Sequence, residues 1–256
     1  MDLKKFSSMY AVTIILLTFL AALASYTRQS FPIDLIIAVL TTSLLDLALQ
    51  KFFLKKQISF PRSAIISGLI IGSVAPFSAP YFTIILAGIL AMLSKFFIRM
   101  KNAHIFNPAT FGLLISLAAF SVGDEWWGGE NFLFAGYMIP VALILIISNY
   151  KAMKLKISLP FLAMFMILNI VAFGVSNYTS SPAILNYFSL FPFFFAFIMV
   201  SEPKTSPYGT RPQIVFGILV AILSFLLGFF GVNYTFLIAL LIGNLSYFVY
   251  RNFSRK

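Results

Sequence analysis

The 256-residue chain contains no cysteine and a single histidine, His104. The first absence excludes disulfides and any iron–sulfur cluster held by this chain's own thiolates. One imidazole excludes bis-histidine haem within the chain. Only seven Asp and Glu are present, too few beside one histidine to make an ordinary zinc centre. Charge is scarce altogether, at 10% of residues, where a soluble domain carries about 25%. What fills the space is apolar: 61% of residues, with 31 Phe among them. A larger core does not account for this excess, because a soluble chain of this length still needs a polar surface. The remaining solvent is lipid, and most of the phenylalanines are read as facing it or packing between helices.

The formal charge is +11. Such a balance can mark a nucleic-acid binder. Here the basic residues sit in short stretches between apolar runs, so they report membrane orientation and no nucleic-acid partner is expected. A spanning helix needs about 20 apolar residues. Ten candidate segments meet that need, at 9–26, 32–54, 62–79, 81–99, 106–122, 132–149, 157–176, 183–200, 213–230 and 232–250. Their runs do not alternate, which argues for helices and against a barrel. The expected fold class is therefore all-α, a polytopic bundle forming one membrane domain.

The charges test this map. With the N-terminus in the cytoplasm and strict alternation, 17 of the 18 basic residues fall inside and only Arg28 falls outside. Asp124, Glu125 and Glu130 gather in one outer loop. The positive-inside rule thus gives a plasma-membrane protein with both termini cytoplasmic. Ala22-Leu23-Ala24 resembles a signal-peptide cleavage site, but the first helix is read as retained.

Several segments are interrupted. The third runs from Pro61 to Pro76 with Gly68, Gly72 and Pro80; the fifth opens on Asn107-Pro108; the eighth carries Asn186, Ser189 and Pro192. Proline removes a backbone donor, and irregular backbone at membrane depth survives only inside protein or along a polar cavity. Paired broken helices in inverted halves are a transporter device. The spacing gives two five-helix halves of opposite orientation, about 1–125 and 126–256.

Few residues in this background can carry chemistry. Asp46 lies inside the second segment and Asp34 near its outer end. Asp46 is a candidate for ion or proton coupling, or else a structural residue meeting Lys51 or water. Lys95, Arg99, Lys101 and His104 form a basic inner loop. One reading is an anion site facing the helix that starts at Asn107-Pro108, whose free N–H groups favour anions. The other is ordinary inner charge followed by an Asn cap. His104 by itself reads as structural. Ser201 to Pro207 reads as a rigid, hydrogen-bonding turn, and Trp126-Trp127 as an interfacial anchor.

Two of these stretches resemble the RnfD/NqrB family, membrane subunits of ferredoxin:NAD and sodium-pumping NADH:quinone oxidoreductases. His104-Ile105-Phe106-Asn107-Pro108-Ala109-Thr110-Phe111-Gly112 is similar to the family's FNPA segment. Met199-Val200-Ser201-Glu202-Pro203-Lys204-Thr205-Ser206-Pro207, followed by Phe216-Gly217, is similar to its TDPVTSP segment. Pro61, Ser63-Ala64, Gly68 and Asp46 are weaker echoes, and order and spacing agree over about residues 36–250.

The resemblance implies ten helices in two inverted repeats, a fold shared with urea transporters. It also implies flavin, and redox subunits as partners. The candidate cofactor-binding residues are Lys95 and Lys101 of the basic loop and, on the positions that match the family's segments, His104, Asn107, Pro108, Thr110, Glu202, Pro203, Thr205 and Ser206. Family members attach FMN to the threonine of an S/T-G-A-T motif between the fifth and sixth helices. This chain has Ser121-Val122-Gly123-Asp124-Glu125-Trp126-Trp127 there, and Thr110 stands in a different context. The expected flavin, FMN or riboflavin, is therefore noncovalent. The glycine-rich stretch before the FNPA segment is also missing, so the chain resembles a shortened, divergent member.

Three functions follow as expectations. The first is an electron-transfer subunit that passes electrons through flavin or quinone and couples them to ion movement. The second is a small-solute channel of urea-transporter type, with Phe191, Phe193 and Phe195 along its path. The third is a membrane scaffold for a cytoplasmic flavoprotein.

Overall fold

The computed structural model describes residues 3–55, 57–100, 103–129, 135–173 and 193–253. The elements are α1 (Leu3–Arg28), α2 (Ile33–Ala48), α3 (Arg62–Val74), α4 (Tyr81–Phe97), β1 (Arg99–Met100), β2 (Ala103–His104), α5 (Pro108–Ala119), α6 (Ala135–Lys151), α7 (Leu155–Phe173), α8 (Thr210–Phe229) and α9 (Thr235–Phe253). Two π-helical segments, Leu49–Phe53 and Phe195–Val200, accompany them. Most of the eighth expected segment, with Asn186, Ser189, Phe191 and Pro192, lies outside the described residues, as do Lys101 and Glu130.

The chain is mostly helical, and five helical stretches are long and apolar enough to cross a membrane: Tyr10–Arg28, Ile33–Phe53, Leu155–Ala172, Thr210–Phe229 and Thr235–Phe253. It therefore reads as a membrane protein. Other helices are shorter than the sequence suggests. α3 stops at Val74, not near residue 79, because Pro76 and Pro80 cannot continue it. Its 13 residues rise only about 20 Å.

The chain forms two compact units, Met1–Gly128 and Gly129–Lys256. In the first, the buried face of α2 is Asp34, Ala38, Thr42 and Asp46, one residue per turn. α3 approaches this face through Gly68 and Gly72. A methyl group at Gly68 would lie 2.6 Å from the Val39 Cα, and one at Gly72 would lie 2.5 Å from the Leu35 Cα. Small residues four apart let apolar helices approach where lipid supplies no hydrophobic drive. The Thr42 hydroxyl, 2.9 Å from both the Ala38 and Ala64 carbonyls, joins α2 to α3.

Arg28 and Glu125 pair at 2.5 Å, and Glu125 also accepts from the Phe77 N–H at 2.9 Å. Arg28, at the end of α1, thus meets an acid of the stretch that follows α5. The tryptophans are not interfacial anchors. Trp126 and Trp127 are buried, and Trp127 packs with Ala21, Ala24 and Phe77. Backbone bonds from Glu125 and Trp126 to the Val74 carbonyl draw the segment inward.

The second unit is held at its centre by an aromatic cluster. Phe195 meets Phe161 of α7 and Phe236 of α9, with ring centroids 5.4 and 4.9 Å apart. The wide turn at Phe195–Val200 leaves carbonyls for side chains to satisfy. Asn149 donates to the Phe197 carbonyl at 2.7 Å and Ser158 to that of Ala196 at 2.8 Å. Phe195 is fully buried in this cluster, which argues against its lining an open solute path.

Candidate functional site

The residues singled out by sequence fall into two constellations, one in each unit. In the first unit, Lys95 is not on a loop. It occupies the last turns of α4, and its Nζ lies 2.6 Å from Asp46 Oδ1. Gln50 donates to Asp46 Oδ2 at 2.7 Å, and its own carbonyl oxygen accepts from the Ser59 N–H and hydroxyl. Asp46 therefore meets Lys95 and Gln50, not Lys51 or bulk water. Lys51 instead stands over the Phe52 ring at 5.3 Å.

The stretch after α4 is a two-residue-per-strand hairpin in which Arg99 pairs with His104. His104 Nδ1 lies 3.2 Å from the Lys95 carbonyl, a bond that requires the proton on Nδ1. The hairpin delivers the chain to Asn107, whose side-chain oxygen accepts from the Thr110 N–H at 3.0 Å, with Pro108 at the first helical position. This is a standard N-cap. Thr110 is fully buried, and its hydroxyl has no hydrogen-bond partner among the described residues.

In the second unit, Ser201–Tyr208 forms a folded polar turn. Thr205 donates to the Glu202 carboxylate at 2.9 Å, Ser206 to the Glu202 carbonyl at 2.6 Å, and Asn244 to the Thr205 carbonyl at 3.3 Å. Lys154 lies fully buried beneath the turn. Its ammonium donates to the carbonyls of Ser206 and Pro207 at 3.3 and 2.8 Å, and sits 3.7 Å above the Tyr208 ring. Burial pushes the Lys154 pKa down to about 7, with Glu202 opposing. Burial also raises the Tyr208 pKa, with Tyr247 adding to the rise.

The structure thus joins Asp46, Lys95 and His104 through the end of α4, and Asn107, Pro108 and Thr110 through one helix cap. Glu202, Thr205 and Ser206 share one turn. Sequence reasoning missed Gln50, Ser59, Asn149, Ser158 and Lys154. Lys154 was legible only as inner charge. Asn149 and Ser158 flank a turn between two apolar runs, where polar residues attract no notice.

A phosphate has little to bind in either place. Lys95 is taken by Asp46 and the Asn107 oxygen by its cap, while Glu202 would repel an anion. Arg99 is exposed and makes no ion pair among the described residues. No family model matches the chain, and no curated protein matches it.

Proposed function

We propose that this chain is a membrane subunit of an electron-transfer complex of the RnfD/NqrB kind. It crosses the plasma membrane ten times as two inverted five-helix repeats, with both termini in the cytoplasm. It holds a noncovalent flavin, FMN or riboflavin, or a quinone, and couples electron passage to ion movement through Asp46. Partner redox subunits bring the electrons, since the chain has no cysteine and one histidine.

The observation that carries this reading is what the two motif stretches become. Both fold into buried, hydrogen-bonded polar turns at helix ends: Asn107 to Thr110 at the start of α5, and Glu202 to Ser206 before α8. Polar groups are seldom buried in an apolar chain without a use, because each must be satisfied. A bound flavin supplies one- and two-electron transfer. Asn107 and Thr110 at the start of α5 would orient its ring edge, the buried Thr110 hydroxyl being without a hydrogen-bond partner among the described residues.

Glycine packing supports the repeat. Gly88, the eighth residue of α4, lies against Thr41 of α2; Gly217, the eighth of α8, lies against Ile157 of α7. Gly112 of α5 sits on Ala87 and Ala91 of α4, and Gly243 of α9 on Phe216 and Val220 of α8. Those partners are the seventh and eleventh residues of α4 and of α8.

The test is a visible absorption spectrum of protein purified in mild detergent, with flavin fluorescence viewed on a denaturing gel. Flavin bands with a dark gel band support the proposal; a fluorescent gel band means covalent attachment. A colourless protein, even with partners present, contradicts it and favours a solute pathway, the reading to which the short α3 and α5 lend support.

A further inference from the structure

We propose that the groove between the start of α8 and the end of α9 is a binding site for an anionic phospholipid of the leaflet facing the basic chain segments. This inference does not depend on the redox reading.

The groove encloses about 490 Å³. Its wall is apolar, made by Val215, Phe216 and Leu219 of α8. Its mouth is polar: Arg211 on one side, with Ser246, Tyr247 and Tyr250 on the other. From Arg211 to Leu219 the helix descends about 12 Å. A cation and hydroxyls at the entrance with hydrocarbon below them match the order of a lipid, headgroup first and acyl chain beneath. Basic pockets between membrane helices are where anionic headgroups bind.

Two arginines bear on the groove, Arg211 in its lining and Arg251 beside it, over the ring of the lining residue Tyr247. Arg211 is exposed and makes no ion pair or hydrogen bond among the described residues. Arg251 stands over the Tyr247 ring at 5.7 Å, and its buried Nε has no hydrogen-bond partner among the described residues. No carboxylate lines the groove. A phosphodiester satisfies both guanidinium groups, each of which presents several donors in a fork. A zwitterionic lipid would fill the same apolar wall but would set its own cation against two arginines.

The experiment uses the full chain in detergent micelles. Phosphatidylglycerol or phosphatidylcholine of identical chain length is titrated in, with retained lipid read by native mass spectrometry and stability by thermal melting. The wild type should retain phosphatidylglycerol in preference to phosphatidylcholine. Each of Arg211→Gln and Arg251→Gln should lower that preference about fivefold, and the double variant should lose it. Lys51→Gln, an exposed cation of the first unit, should leave it unchanged. Should the double variant fold poorly, Leu219→Trp fills the wall and spares the arginines; it should reduce retention of both lipids. An undiminished preference in a folded double variant overturns the proposal. So does equal stabilisation by inorganic phosphate alone, which would show an anion site and no lipid site.

Discussion

Lys95 of α4 and Asp46 of α2 pair at 2.6 Å, with their side chains only 11% and 3% exposed. The two residues lie 49 apart in sequence, so the pair fastens two helices where each meets the basic loops. Taking both charges from water is costly, and removing one partner strands the other. Lys95→Met should therefore destabilise by about 3 kcal/mol, while Lys95→Met with Asp46→Leu should recover most of the loss. Thermal melting in detergent measures both. A double variant no more stable than the single would show that the pair is not the reason for the loss.

Glycine packing gives a second prediction. A Cβ at Gly112 meets the Ala87 carbonyl, and one at Gly217 meets the Ile157 carbonyl. Backbone cannot turn aside as a side chain does. Gly112→Ala and Gly217→Ala should each cost about 1–3 kcal/mol. Gly123→Ala, with nothing within 4 Å, should change stability by less than about 0.5 kcal/mol. A Gly217→Ala protein that melts with the wild type would refute the close α7–α8 contact.

Much of this was readable beforehand, and the gaps have a physical pattern. Among the described residues, apolar runs located most of the helices to within about six residues at either end, because hydropathy and length are local properties. The Asp46–Lys95 pair was not legible, because it depends on which helices pack together. Trp126 and Trp127 read as anchors because composition cannot tell a buried tryptophan from an interfacial one. The hairpin at Arg99–His104 is too short for strand alternation to register. At the candidate sites, the FNPA-like and TSP-like stretches drew notice as motifs, but the buried Lys154 beneath the second did not.

Lys154 yields a pH prediction. Burial lowers its pKa from 10.5 to about 7 in the folded protein, against the opposing pull of Glu202. Between those values the unfolded chain holds a proton that the folded protein has lost, so stability rises with pH across that window. Below about 7 both states are charged and the contribution is flat. The raised pKa of Tyr208 acts the other way only above about pH 10. Melting followed from pH 7 to 9.5 should show the rise, and Lys154→Met should flatten it. An identical slope in the variant would assign the effect elsewhere.

The cap of α5 is a third local test. The Asn107 side chain accepts from the Thr110 N–H, satisfying a donor the helix cannot. Asn107→Ala should cost about 1 kcal/mol and Asn107→Ser distinctly less, because serine also caps. Equal losses in the two variants would mean that Asn107 acts through some contact other than the cap.

The membrane map underlies the whole account, and a chain without cysteine permits a direct test. Single cysteines placed at the exposed turn positions Gln29, Ser121 and Asn233, and at Ser59 and Met153, report their side through a thiol reagent that cannot cross the bilayer. In intact cells the first three should label and the last two should not. Opening the cells should expose Ser59→Cys and Met153→Cys. Labelling of either of these two from outside, or failure of the first three to label, would contradict the alternating, basic-side-in arrangement.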